Sequence, residues 1–404
     1  MPLLISLFFF VFGNWFLSLT SLDEGRNAHA VLNMLISKDF LVPYYNCQVR
    51  FEKPPMLYYA GLLSAIILGL NEFSLRLISG LSAVGFAVYT YLIAKLYFEK
   101  EIAKKSFFIL LTLPHLWIES RAFVPEMLFS FFMIGGLYYF LVGRSILGWT
   151  FLSFAFLTKG PVGALLPIAI YIILRKDLKF LDLKGILLFL TLGGSWYYLM
   201  LSNFGLEYFY RFFLYENIMR YTGQRIVHHY PFYYYFVVLF LAFIFYIPAL
   251  IKIRINKRLV PFLLWGAFVV IFFTLAKNKL HHYVLLSYPA FAILLAVNLS
   301  YRYIKTVLLA SIFVLFSLLT VVYFYEKERF QTKALPMLMS FKGPVYFYKD
   351  TEISSIVYYS RRCIPKIHQL PTEKALLISK EKIDCQLLVE GKEFEGKYKL
   401  YLCH

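Results

Sequence analysis

The chain has 404 residues, 60% of them hydrophobic and only 16% charged, and its mean hydropathy is +0.66. A soluble globular chain is about a quarter charged, so this deficit, spread over long apolar runs, excludes an ordinary soluble protein and points to lipid. The net charge of +18 gives no sign of nucleic acid, because the cations cluster in short loops between apolar segments, as membrane topology and anionic lipid require.

In chain order, the first segment, MPLLISLFFFVFGNWFLSL, lacks a basic leader and a small-residue cleavage site. It reads as a retained transmembrane helix rather than a cleaved signal. Residues 23–55, DEGRNAHAVLNMLISKDFLVPYYNCQVRFEKPP, then concentrate charge in an otherwise apolar chain. Ala28, Val31, Leu32 and Leu35 fall at helical spacing, which predicts an amphipathic helix along the membrane surface, ended by Lys38-Asp39 and Pro43. Further apolar segments follow up to residue 325. Some loops between them are basic and little else (95–105, 144, 175–184, 252–258, 302–305). Others mix acids, histidines, cations and aromatics (21–55, 115–126, 158–161, 203–231, 276–282 and the tail). The two kinds alternate if 56–70 dips into the interface and returns. The positive-inside rule then places every chemically mixed loop outside. About eleven spanning helices are expected over residues 1–326.

Residues 327–404 change character. GPVYFYKD, CIPKIHQL, ALLISK, QLLVE and YKLYLCH read as strands and TEISSIVYYS as a helix, predicting a small outer α/β domain. Of the four cysteines, Cys47 is in the opening loop and Cys363, Cys385 and Cys403 in the tail, where a disulfide is compatible with an oxidising compartment. There is no P-loop, GxGxxG, HExxH or CxxC pair.

The candidate chemistry sits in the mixed loops. Asp23 at the exit of the first helix is placed to act as a general base, with Arg26 one turn on to hold it ionised or to grip a phosphate; the plainer reading is a charged helix end among headgroups. Pro54 and Pro55 stiffen the chain after Glu52-Lys53 and aim Lys53 as a phosphate-binding cation, against the plainer reading of a solvated turn. Glu126 opens an apolar run, where a carboxylate is costly and functional by default; Arg121 is the nearby cation that could simply pair with it. Lys159, read as lying at a helix start, needs an acid or an anionic ligand to offset the dipole. His228 and His229 share a loop with Arg211, Arg220 and Arg225, and metal binding there needs an acid such as Glu52. Lys277 and Lys279 either bind phosphate or anchor to headgroups.

The ordered motifs DEGR, DFLVPYYNCQVRFEKPPMLYY, NEFSLRLIS, LTKGPVG and KLHHYVLLSYPAFAIL resemble those of GT-C glycosyltransferases that use polyprenyl-phosphate sugars, especially lipid A aminoarabinose transferases and their protein-mannosyltransferase relatives. The resemblance covers about residues 1–300. It implies an all-α multi-pass GT-C membrane fold, with juxtamembrane helices in the first outer loop and the small α/β domain outside. It also implies Asp23 as catalytic acid/base, Glu126 as the second outer-loop acid (usually Asp), and Arg26, Lys53, Lys159, Lys279 and Tyr283 as substrate-binding residues. Glu52 with His229 is implied as a divalent-metal pair. Arg50 stands where relatives often carry Tyr.

The expected reaction is inverting transfer from an undecaprenyl-phosphate sugar to lipid A, another glycolipid or a protein, by a monomer at the outer face of the inner membrane. No nucleotide is needed. The competing reading is a transporter or flippase for an anionic lipid, which would carry charges near the bilayer midplane and internal repeats; neither is seen.

Overall fold

The computed structural model describes residues 2–224, 228 and 230–403. Short α1 (Pro2–Phe10) leads to α2 (Asp23–Ser37), a small hairpin of β1 (Tyr44–Tyr45) and β2 (Gln48–Val49), and α3 (Met56–Leu68). The predicted amphipathic helix is therefore α2, and Lys38 ends it in the left-handed region (φ 59°). Then follow α4 (Glu72–Tyr97), α5 (Lys100–Leu111), α6 (Pro114–Glu119), α7 (Pro125–Leu141), α8 (Ser145–Lys159) and α9 (Val162–Arg175). Helix α4 starts on a capping box in which the Asn71 side chain accepts from the Ser74 backbone N–H and the Ser74 hydroxyl accepts from the Asn71 backbone N–H. A long apolar stretch from Leu183 to Thr222 bends at Gly205, whose φ of 57° favours glycine. Helices over Tyr234–Ala242, Val260–Leu275, Tyr288–Asn298 and Tyr301–Glu328 complete the apolar part.

Among the described residues, three helices are long and apolar enough to cross a membrane alone, or four if the pair Tyr234–Ala242 and Ile244–Lys252, bent by 95°, forms one span. The other apolar segments run as shorter helices, such as Pro125–Leu141 and Val260–Leu275. Their cores interlock: α7 lies between α4 and α8, burying Phe132, Leu137 and Leu152.

After Glu328 the chain builds a helix (Phe330–Ser340) and a five-stranded sheet. With β3 (Val345–Tyr348), β4 (Lys366–Ile367), β5 (Ala375–Ser379), β6 (Gln386–Glu393) and β7 (Gly396–Cys403), the order is β4-β3-β5-β7-β6. β3 pairs in parallel with β4 and β5, while β7 is antiparallel to β5 and β6. β5, ALLIS, is buried throughout, which is why it reads as a continuous apolar run rather than an alternating one. A helix over Ser354–Ser360 covers one face, and each element expected in the tail is present.

That helix packs on α2, whose other side meets α3, so α2 is sandwiched rather than lying free on a membrane surface. Gly25 is required there: a Cβ would stand 2.3 Å from the Ser355 nitrogen. Arg329, fully buried, pairs with Glu393 at 2.7 Å and donates to the Ser18 and Leu19 carbonyls. One disulfide, Cys385–Cys403, lies within the tail; a second, Cys47–Cys363, joins the tail to the first loop.

Candidate active site

The first loop is held by a buried ion pair. Arg76, the arginine of NEFSLRLIS, donates to both oxygens of Glu24 at 2.6 and 2.7 Å, and Glu24 also accepts from the backbone N–H groups of Thr20 and Phe123 at 2.8 and 2.7 Å. A carboxylate with so many donors stays ionised; burial opposes this, but the Arg76 charge and bonds outweigh it. Glu24 thus fixes the start of α2, and its neighbour Asp23 is turned the other way.

Asp23 faces a polar chamber of about 1880 Å³, counting its open mouth. Arg26, Arg50, Glu52, Lys53, Glu126, Lys159 and His282 share its wall. A second cavity of about 990 Å³ runs between helices and is lined by Phe129, Met133, Val162, Leu166, Phe273 and Leu286. The two share Glu52, Lys53, Glu126, Lys159, Glu216, Arg220, His282 and Tyr283. A polar chamber and an apolar groove therefore meet at a charged neck.

Geometry sorts the expected residues. Asp23 lies 3.9 Å from Arg50. Its side chain is 54% exposed to the chamber; desolvation by the surrounding protein would raise its carboxyl pKa, but the cations of Lys53, Arg50 and Arg26 hold it well below the usual carboxylate range. Lys53 stands in the neck just before the prolines that open α3, and among the described residues no ion pair or hydrogen bond engages it. Glu126 is buried, 2.8 Å from Lys159 and 3.1 Å from His282, and its second oxygen has no bond. Burial, reinforced by the Lys159 charge, pushes the His282 imidazole well below its ordinary pKa, so it faces Glu126 neutral. Tyr283 lines both cavities, with the Lys159 ammonium 5.1 Å from its ring centre.

Other expectations need correction. Lys159 ends α8 rather than starting a helix; Gly160, at φ 88°, stops the helix, and the cation sits where the dipole favours it. Arg121 does not pair with Glu126; it donates to the carbonyls of Phe9 and Phe12 at 2.8 and 2.7 Å, capping α1. Arg26 lines the chamber but is already held by Glu352 of the C-terminal region at 2.6 Å, with Tyr45 and Lys366 on the same carboxylate. Lys279 lines neither cavity; its ammonium donates to the Ala276 carbonyl at 2.9 Å. His229 and Arg225 lie outside the described residues. Glu52 lines both cavities, 3.9 Å from Arg50, and belongs to no group of three metal-type ligands among the described residues.

Three participants were not singled out from sequence. Arg50 is 5% exposed, and its Nε and Nη1 lack hydrogen bonds, a buried guanidinium between Asp23 and Glu52. Glu352 comes from more than three hundred residues away. Glu216 enters the neck beside Arg220, at 3.0 Å. Only the departure at Arg50 from the expected Tyr gave any signal.

The chain is similar to several known proteins. Residues 52–194 match the family model for dolichyl-phosphate-mannose-protein mannosyltransferases. An uncharacterized protein of Aquifex aeolicus is 49% identical, covering 98% of this chain and 96% of its own. The undecaprenyl phosphate-alpha-4-amino-4-deoxy-L-arabinose arabinosyl transferase 2 of Proteus mirabilis is 26% identical over 68% of this chain. The chain spans about half of that relative's length, 54%. The crystal structure of ArnT from Cupriavidus metallidurans bound to undecaprenyl phosphate superposes with a TM-score of 0.84 at 16% identity, covering 99% of this chain and 97% of that one.

Proposed function

Because the chain belongs to the GT-C glycosyltransferases that use polyprenyl-phosphate sugars, we propose that it moves a sugar from undecaprenyl phosphate to a lipid A, glycolipid or protein acceptor at the outer face of the inner membrane. The observation that carries this reading is the neck itself: an apolar groove and a polar chamber meeting at Lys53, a cation with no ion pair among the described residues. A polyprenyl phosphate has that same division, a hydrocarbon chain ending in an anion. The chain would lie along Phe129, Met133 and Leu166, with the phosphate at Lys53 and the sugar in the chamber.

The chemistry then follows from charge. Lys53, with Arg50 behind it, stabilises the phosphate as negative charge develops on the leaving group. Asp23, kept ionised by the same cations, takes the proton of the acceptor as it attacks the anomeric carbon from the face opposite the phosphate, inverting configuration. Lys159 orients Glu126, with His282 3.1 Å away, and the carboxylate's unbonded oxygen is free to accept from a sugar or acceptor hydroxyl. Burial of the neck strengthens each of these interactions. No step is routed through a metal at Glu52.

About eleven crossings, a C-terminal region on the periplasmic side and action as a monomer complete the proposal. The test incubates purified protein with undecaprenyl-phosphate aminoarabinose or polyprenyl-phosphate mannose and a membrane extract, then reads acceptor mass. A mass gain of one sugar is expected. Binding of the polyprenyl phosphate without transfer to any acceptor would sink the proposal.

A further inference from the structure

At the chamber wall, which His281 helps to line, three side chains converge that play no part in the reaction described. His115 opens α6, Glu119 closes it, and His281 comes from the turn before Tyr288. His115 Nε2 lies 3.2 Å from Glu119 Oε1 and 2.9 Å from His281 Nδ1, while His281 Nδ1 lies 3.1 Å from the same Oε1. Glu119 is 3% exposed. The other nitrogen of His115, Nδ1, is engaged by the Tyr288 hydroxyl.

With Glu119 ionised, protons alone do not satisfy this triangle. If both imidazoles donate to Glu119, two N–H groups face each other across the short nitrogen–nitrogen edge. If either withholds its proton, a lone pair faces the carboxylate lone pairs along one edge. A single cation equidistant from the three atoms resolves all three contacts at once. Ligand atoms about 2.0–2.2 Å from one ion stand about 3.0 Å apart in octahedral and about 3.4 Å apart in tetrahedral geometry, and these three, 2.9–3.2 Å apart, are near enough to share one ion. The Tyr288 contact is the outer hydrogen bond that fixes a ligating imidazole's orientation and leaves Nε2 for the metal.

We propose that His115, Glu119 and His281 form a divalent transition-metal site, with zinc the best match to two imidazoles and one carboxylate. Harder cations such as magnesium prefer all-oxygen sites. Three protein ligands leave at least one further coordination position. The ion would clamp α6 to the turn that carries His282 and Tyr283, both in the wall of the neck, and so hold the partner of Glu126 in place. This site is separate from Glu52, and its existence does not depend on which sugar or acceptor the enzyme uses.

The experiment uses the full chain in detergent, stripped with a chelator and titrated with zinc chloride, with cobalt(II) as a spectroscopic substitute. The wild type is expected to take up zinc, to gain in thermal midpoint on doing so, and to show the visible cobalt bands of imidazole ligation. His281 is half-exposed, so His281→Ala should fold normally. It should weaken zinc binding at least tenfold and abolish the midpoint gain, and Glu119→Gln should do the same. Glu52→Gln should keep both. Absence of zinc binding in the wild type, or a loss of less than tenfold in a folded His281→Ala chain, overturns the proposal.

Discussion

The seam under the C-terminal region and the neck between the two cavities are built from the same residue types and behave in opposite ways. In the seam the buried charges of Glu24, Arg76, Arg329 and Glu393 are saturated. Glu24 takes bonds from Arg76, Thr20 and Phe123, and Arg329 spends its guanidinium on Glu393, Ser18 and Leu19. In the neck the charges are close but incompletely bonded. Asp23 and Arg50 stand 3.9 Å apart, two Arg50 nitrogens and one Glu126 oxygen lack hydrogen bonds, and Lys53 forms no ion pair among the described residues. Asp23 and Glu24 are adjacent in sequence yet fall on the two sides of this division. Saturated charge specifies shape, whereas unsaturated buried charge is costly unless a ligand completes it.

Substitutions across that divide should separate stability from activity. The largest effect is expected at Glu24→Ala, which leaves Arg76 buried without its carboxylate and should cost about 3–5 kcal/mol, read as a collapse of the thermal midpoint. Asp23→Asn should instead leave the midpoint within a few degrees and slow transfer about 10²–10⁴-fold, the usual contribution of a general base. If Asp23→Asn unfolds the protein, the division between the two carboxylates is wrong. Replacing Cys47 and Cys363 together by Ser should lower stability by about 2–4 kcal/mol with the chamber chemistry preserved, provided assays are run below the new midpoint.

The pH dependence gives a finer test. Asp23 is held below the ordinary carboxylate range, so in the folded chain it stays charged well below pH 4; the stability it contributes is fully present above about pH 4, its unfolded value, and is lost as the pH falls on toward the depressed folded value. Single-turnover transfer should therefore show no Asp23 limb near neutrality. Lys53→Ala removes the strongest of the charges that lower it, and the acidic limb should move to higher pH as the rate falls; an unmoved limb would falsify Asp23 as the titrating base. The smallest effect is expected at Glu352→Gln. Weakening the hold on Arg26 should change affinity for a phosphate-bearing donor a few-fold, seen in KM rather than in kcat.

Much of the neck was legible because its signals are local. Lys53 is followed at once by two prolines, Asp23 sits where a helix leaves the apolar layer, and Glu126 interrupts an apolar run; each breaks a pattern over a few residues. Lys159 was legible as a charge in need of an acid, but the turn residues after it were read as the start of a helix rather than the stop of one. The seam left no such trace. Glu352 and Cys363 meet their partners only after the chain has passed through the whole bundle, and a carboxylate in a polar tail looks like any solvated charge. The true partners of Arg121 are hidden for a related reason: they are backbone carbonyls, which every residue carries and no side-chain pattern reveals.

The Cys47–Cys363 bond has a consequence for how the protein is made. Its two halves are separated by 316 residues, and at about 5–20 residues per second the first cysteine emerges roughly 15–60 s before the second. During that interval the loop bearing Asp23 and Lys53 is untethered, and Cys47 is an exposed thiol open to the wrong partner. The strap can be fastened only when nearly all the bundle has been threaded and the terminal region has been delivered to the same side of the membrane. A truncated or misoriented chain never meets that condition, so formation of this one bond reports that synthesis and insertion were completed in the correct sense.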